Sequence, residues 1–242
     1  MTIRKRLNAT AKTMRRRFFE LAGSDRYSRF ALNDLDRKLA AHIPCRGGRF
    51  IEAGANDGLT QSNTYWFERF RDWRGILIEP VPTLAAACRR NRPRATVVNS
   101  ALVSTDQIKS VRMQAANLMA FVSNSFERPE DEQRQLRTAI EVQHLGSVAE
   151  IEVPARTLSS ILAELRTTRT DLFSLDVEGY EIEVLKGLDT ARHRPRFILV
   201  ETRRLPSVLD ALQGAYEPVD LLSHHDHLLK ARAPLSGLEA PA

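Results

Sequence analysis

The chain has very little cysteine. Cys45 and Cys88 are the only two in 242 residues. They form no disulfide framework, and neither has a Cys-x-x-Cys partner or a metal-ligand spacing. A reducing cytosol is therefore the expected setting. Long apolar runs are missing as well: none approaches the roughly 20 residues that a membrane-spanning helix needs. The basic start is not followed by an apolar stretch, so no secretory leader is expected. Excess positive charge is missing from the body of the chain. The net charge is +6, and residues 1–20 account for all of it, with seven basic residues against Glu20 alone. The remaining 222 residues are close to neutral, so no polyanion-binding domain and no nucleic-acid partner is expected. The length suits one ordinary domain with a real core.

What is present is a glycine-punctuated turn, Phe50–Gly58, read FIEAGANDG. A short apolar run enters from Gly47-Gly48, meets Glu52, and stops at Gly54 and Gly58. The pattern predicts a buried strand that ends in a tight, open turn. Glycine there permits positive φ and leaves room for close approach to the backbone. In an α/β sheet, ligands bind at such strand ends. The spacing is not Gly-x-Gly-x-x-Gly, which argues against a pyrophosphate cradle. A second run, Arg74–Pro80 (RGILIEP), ends in Glu79, 27 residues after Glu52. An acid at the end of the second strand commonly grips a ribose through its hydroxyls. A ribose without a pyrophosphate suggests a nucleoside cofactor, and S-adenosylmethionine fits.

Taken in order, residues 1–23 form a basic extension in which Ile3, Leu7, Met14, Phe18 and Leu21 fall near one helical face. Such a segment either frays in solvent or lies on an anionic membrane surface. The protein is then expected in the cytoplasm, or peripherally at the inner face of the membrane. Residues 24–242 read as a single domain. A helix is expected over 33–42, capped by Asn33 or Asp34. An aromatic-rich helix follows a cap at Ser62 or Asn63. Further helices are expected over 82–91 and 158–165, the latter preceded by Thr157. Strands are expected over 95–100, 148–153 and 195–201. Residues 101–103 and 108–113 suggest a hairpin around a polar turn. The stretch 114–150 is the least regular, and reads as an insertion that covers the site as a lid or as a solvated excursion. Tyr216–Leu222 and His227–Ala231 close the chain as a pair of strands.

Four apolar strands thus end in an acid: Glu52, Glu79, Asp176 and Glu201. Helical stretches separate most of them. This is the pattern of a doubly wound parallel sheet with its site along one edge. Buried carboxylates are costly without partners, so four at one edge suggest a function.

The segments FIEAGANDG, QSNTYWFE, GILIEPVP, VVNSALV, DLFSLDVEGYEIEVLKGLD and FILVETR together resemble the FkbM family of S-adenosylmethionine-dependent methyltransferases. The similarity runs over about residues 49–203. The resemblance implies a Rossmann-like class I methyltransferase fold, with a doubly wound, mostly parallel seven-stranded sheet whose last strand is antiparallel. It implies methylation of a hydroxyl on a sugar, glycan or natural product. It further implies that Glu52, Gly54, Ala55, Asn56, Asp57 and Gly58 hold the methionine part of the cofactor. Glu79 and Pro80 would hold the ribose, and Ser100 and Ala101 would lie near the adenine. Asp176 would lie beside the sulfonium and the acceptor.

A sugar hydroxyl needs a base or a metal to act as a nucleophile. Asp176 and Glu178 are the candidate bases. His144 is another if the insertion folds over the site. Asp176, Glu178 and Glu201 also form a candidate oxygen-ligand set for Mg2+. Alternatively, Glu178 caps the following helix and Glu201 pairs with Arg203 or Arg204. His224, His225 and His227 have metal-like spacing but flank a turn. Two other classes remain open on sequence: a non-catalytic binding or scaffold protein of the same fold, and an NAD-linked oxidoreductase, which the glycine spacing disfavours.

Overall fold

The computed structural model describes residues 3–126 and 128–232, with side chains from residue 11 onward. In chain order the elements are α1 (Ile3–Leu21), α2 (Leu35–His42), β1 (Arg49–Ala53), α3 (Tyr65–Phe70), β2 (Arg74–Ile78), α4 (Pro82–Asn91), β3 (Thr96–Val98) and β4 (Ala101–Leu102). There follow β5 (Ser110–Gln114), β6 (Phe121–Val122), α5 (Pro129–Gln143), β7 (Glu150–Arg156), α6 (Leu158–Glu164), β8 (Leu172–Leu175) and α7 (Glu181–Lys186). The chain closes with β9 (Phe197–Glu201), α8 (Leu205–Ala211), β10 (Tyr216–Leu221) and β11 (Asp226–Ala231).

Seven strands form one sheet in the order β10-β11-β9-β8-β1-β2-β3. β1 pairs in parallel with both β2 and β8, and β11 alone lies antiparallel to β9. The chain therefore winds outward from β1 in one direction, returns, and winds outward in the other. The crevice between β1 and β8, at their carboxyl ends, is the switch point where such sheets bind ligands. Strand alternation sends side chains to both faces. On β1, Phe50 packs with Leu39, Trp66, Phe67 and Trp73 on the α2–α4 face. Its neighbour Ile51 packs with Ile161, Val184, Leu185 and Val208 on the α6–α8 face. Both faces are covered, so the central strands read as continuous apolar runs rather than alternating ones.

Several sequence expectations are revised. The residues 101–103 and 108–113 do not pair with each other. β7 runs between them, parallel to β4 and antiparallel to β5, in a second sheet ordered β4-β7-β5-β6. A pattern-based hairpin assumes that neighbours in sequence pair, and here a strand about 40 residues later takes the place. Asn33 and Asp34 do not cap α2; both sit at positive φ, 53° and 56°, and neither side chain bonds the helix start. Thr157 caps α6, accepting from Ser160 N at 3.1 Å.

The basic extension is a helix, and its C-terminal half docks on the domain. Glu20 accepts from Tyr65 Oη at 2.6 Å, Ser28 Oγ at 2.7 Å and Arg69 Nε at 3.1 Å. Arg15 lies over the Tyr27 ring. The polar side thus faces the body, and Met14, Phe18 and Leu21 of the expected apolar stripe are exposed at 66%, 68% and 83%. Ile3 and Leu7 lie outside the described side chains. Among the described residues, no helix is long and apolar enough to cross a membrane.

Candidate active site

The β1 turn is built around a buried ion network. Arg92 is completely buried. It contacts Glu68 Oε2 at 2.8 Å and donates to Gly58 O at 3.0 Å, Ser62 Oγ at 3.1 Å and Thr64 Oγ1 at 3.1 Å. Glu52 is 3.7 Å from the same guanidinium. Its oxygens also accept from Ser62 Oγ, Asn63 N and Thr64 Oγ1 at 2.6–2.9 Å. Glu52 lines the cleft, but its hydrogen-bonding capacity is largely spent inside the protein. Asp57 is likewise engaged, accepting from the backbone of Leu59 and Thr60. Gly58 packs over Arg92 and Cys88 rather than lining the cleft. Gly54 sits at φ +79°, and a Cβ there would fall 1.8 Å from the carbonyl oxygen of Asp176. Its absent side chain makes room for β8, so the switch point closes tightly.

Arg92 escaped the sequence reading. A basic residue at a helix end reads as a solvated group that offsets the helix dipole. Its partner Glu68 lies 24 positions earlier, a separation that carries no periodicity.

Glu79 ends β2 in the cleft, almost fully buried. Its Oε2 accepts from Asn56 N at 2.8 Å and its Oε1 from Val81 N at 2.9 Å. Desolvation nonetheless pushes its carboxyl up to about 7, with the two amide bonds pulling the other way. Each oxygen keeps acceptor capacity toward the cleft. Asn99 Nδ2 donates to the carbonyls of Glu79 and Pro80 and fixes this strand end. Pro80, Ser100 and Ala101 line the same cleft, as do Gly54, Ala55 and Asn56.

Residues of the stretch 114–150 form its roof. Asn117, Leu118 and Ala120 line the cleft, with Met113 and Val122 beside them. Gln143 on α5 braces this turn, donating to Ala116 O and accepting from Leu118 N. With the roof in place, the cleft holds about 80 Å³.

Across the switch point the acids face one another. Asp176 follows β8, and Asp176 and Glu201 line one cavity, near enough for each to act on the other's charge. Asp176 is held well above the usual carboxylate range, by desolvation first and then by Glu201, Glu178, Glu181 and Asp226. Glu178 sits at φ 55°, and its carboxyl is pushed up to about 7 by desolvation and by Glu201 and Glu181. It accepts from Gln135 of α5 at 2.8 Å. It does not cap α7, whose start has no side-chain cap; Glu181 instead ties down the preceding turn, accepting from Gly179 N at 2.8 Å. Glu201 is raised by desolvation and then by Asp226.

His144 does not reach this cluster. It ends α5 at φ 52° and is exposed, away from the cleft-lining residues. Among the described residues, no group of three or more His, Cys, Asp and Glu is placed to hold a metal ion. The set Asp176, Glu178 and Glu201 is therefore not assembled as a metal centre, since Asp176 is turned to Glu201 and Glu178 to Gln135. His224 is exposed on the closing turn beside His225, with ring centroids 6.4 Å apart.

A second cavity, of about 240 Å³, opens on the other side of Asp176. Gln61, Asn63 and Asp176 line both it and the cleft. No sequence signal marked this cavity, because its walls come from the segments after α1, β1, β8 and β9 and from the closing turn.

The family model described as "Methyltransferase FkbM domain" matches residues 52–230. The chain is similar to the methyltransferase sdnD of Sordaria araneosa, with 24% identity over 217 residues, covering 76% of this chain and 81% of that protein. Among solved structures, it is similar to a TehB-like SAM-dependent methyltransferase from Corynebacterium glutamicum. That pair shares 13% identity, covers 93% of this chain and 96% of the other, and has a TM-score of 0.42. The SAH-bound methyltransferase PaMTH1 of Podospora anserina is similar at 11% identity, over 83% and 78% of the chains, with a TM-score of 0.39.

Proposed function

Because the chain belongs to the FkbM methyltransferase family, we propose that it moves the methyl group of S-adenosylmethionine onto a hydroxyl of a sugar, glycan or natural product. The observation that carries this reading is the arrangement at the switch point. A carboxylate with spare acceptor capacity, Glu79, faces one end of the cleft. Asp176 stands where the cleft meets a second cavity, with Glu201 in the wall of that cavity.

The cleft residues fit the cofactor. Glu79 can accept both ribose hydroxyls. Ile78, Leu102 and Val184 offer apolar wall to a base. Asn63 Oδ1 is buried without a partner, a free acceptor beside the point where cleft and cavity meet. Bound there, S-adenosylmethionine supplies an electrophilic methyl carbon, and the C–S electron pair leaves with sulfur as the new O–C bond forms. The chain itself has to hold the acceptor in line and take up its proton. The Asp176–Glu201 pair suits that task. Burial and the neighbouring acids raise the proton affinity of both carboxyls, which favours uptake of the acceptor's proton.

The cleft is smaller than the about 300–1,000 Å³ of ordinary small-molecule sites. Entry of the cofactor therefore requires the roof turn at 117–122 to lift. Amide hydrogen exchange in that segment is expected to change on adding S-adenosylhomocysteine, while β1 and β8 stay unchanged. The function itself is tested by incubating the purified protein with S-adenosylmethionine labelled in the methyl group and a panel of sugars, glycans and hydroxylated natural products. Label recovered as an alkali-stable ether supports the reading. Label found only on nitrogen or carbon rejects the hydroxyl acceptor.

A further inference from the structure

The second cavity differs in chemistry from the cleft it adjoins. Three carboxyls line it, Asp176, Glu201 and Asp226, and among its described lining residues none is lysine or arginine. The basic groups facing it are His224 and His225, and Arg203 lies close enough to Glu201 to act on its charge. Asp226 has already committed one oxygen to Ser223 Oγ. The amides of Asn33 and Gln61 and the rings of His224 and His225 add donors, so the wall is mixed, with acceptors and negative charge in excess. Asn63 is 8% exposed, donates its amide nitrogen to Ser174 Oγ at 3.1 Å, and leaves Oδ1 without a partner. Buried acceptors of this kind are costly until a donor arrives. Two non-glycine residues of the wall, Asn33 and Gln61, are held at φ 53° and 61°. Such backbone strain gathers at ligand sites.

A wall of acceptors with negative charge selects a ligand rich in donors. It repels phosphates and carboxylates. Hydroxyls alone would satisfy the neutral acceptors but leave the like-charged acids crowded. A protonated amine would satisfy both. At about 240 Å³ the cavity lies below the common range for small-molecule sites, which limits the bound portion to about one ring.

We propose that this cavity is the acceptor site, and that it takes a polyhydroxylated ring bearing a protonated amine, with the amine against Glu201 and Asp226 and a hydroxyl at Asp176. The inference rests on the methyltransferase reading for the word acceptor, but the preference for a cationic polyol stands on the cavity alone. Charge-assisted hydrogen bonds between the ammonium and the carboxylates hold one side of the ring. The neutral amides of Gln61 and Asn63 hold the side next to the cleft.

The test is ligand-observed NMR titration of the full chain with glucosamine, glucose, N-acetylglucosamine and glucuronic acid, with and without S-adenosylhomocysteine. Glucosamine is expected to bind at least tenfold more tightly than glucose or N-acetylglucosamine, and glucuronic acid not at all. Asp226→Asn and, independently, Glu201→Gln are expected to remove most of the tenfold preference while leaving S-adenosylhomocysteine affinity unchanged. Equal binding of glucose and glucosamine, binding of glucuronic acid, or an unchanged preference in both variants overturns the proposal. If glucosamine binds and S-adenosylhomocysteine does not, the cavity's preference stands and the methyltransferase reading falls. If S-adenosylhomocysteine binds and no amine-bearing sugar does, the reverse holds.

Discussion

Glu52 and Glu79 close β1 and β2, and every oxygen of both is met by a donor of the chain: amides, hydroxyls and, for Glu52, the Arg92 guanidinium. Asp176 and Glu201 close β8 and β9, and there the neighbours are other acids. The two strand pairs are both parallel and both carry acids at their carboxyl ends. They differ in what surrounds the carboxyls. On the β1–β2 side the oxygens are held by donors of the chain. On the β8–β9 side desolvation, followed by neighbouring acids, raises the proton affinity. A strand-end acid is therefore not one kind of residue, and its partners decide its use.

The contrast is tested most sharply at its reactive end. Asp176→Asn removes the carboxylate while keeping the side chain's shape, and turnover is expected to fall by about 100-fold or more, in line with the loss of a general base. Thermal unfolding should move little or rise, since a crowded acid has gone. A variant that keeps wild-type turnover ends the catalytic assignment. On the other side, Arg92→Met should leave Glu52 and Glu68 buried without their cation. Breaking such a network costs about 3–5 kcal/mol, readable in denaturant unfolding. Loss of activity without loss of stability would make Arg92 a ligand group instead of an anchor. Glu79→Gln halves the acceptor set, and a tenfold weaker affinity for S-adenosylhomocysteine, about 1.4 kcal/mol, is expected.

The smallest effect is in pH dependence. Glu79 and Glu178 rise from 4.5 to about 7 in the folded chain, and Asp176, Glu181, Asp36 and Glu201 rise as well. The folded state thus binds more protons than the unfolded state between about 4.5 and 7, and stability falls as pH rises through that window. Asp72, Asp106 and Glu183 are lowered, but their contribution is lost only below their ordinary values of 3.8 and 4.5. The cofactor-free protein should therefore melt at a higher temperature near pH 5.5 than near pH 8. A flat or opposite profile would mean that the β8–β9 acids are solvated.

The central sheet was legible because its strands are covered on both faces and read as apolar runs. Helix α4 came out at Pro82–Asn91 as its pattern predicts. The acids at strand ends were legible because a carboxyl interrupting an apolar run is rare. What escaped was whatever depends on distant pairing. β4 and β5 found β7 rather than each other. The insertion was recognised as irregular, yet its use as a roof depends on Gln135 and Gln143, two ordinary polar residues on a charged helix. The internal partners of Glu52 escaped as well, because Ser62, Thr64 and Arg92 lie in two later segments at separations that carry no periodicity.

Gly54 has a consequence beyond packing. Its missing side chain is the gap into which the Asp176 carbonyl fits, so one position couples the turn after β1 to the end of β8. Replacing that hydrogen with a methyl would push the end of β8 outward without touching a single charged group. Among chains that share this sheet, the residue at this position is then a diagnostic mark: a copy that carries alanine there has the fold and every acid, and has surrendered the alignment between them.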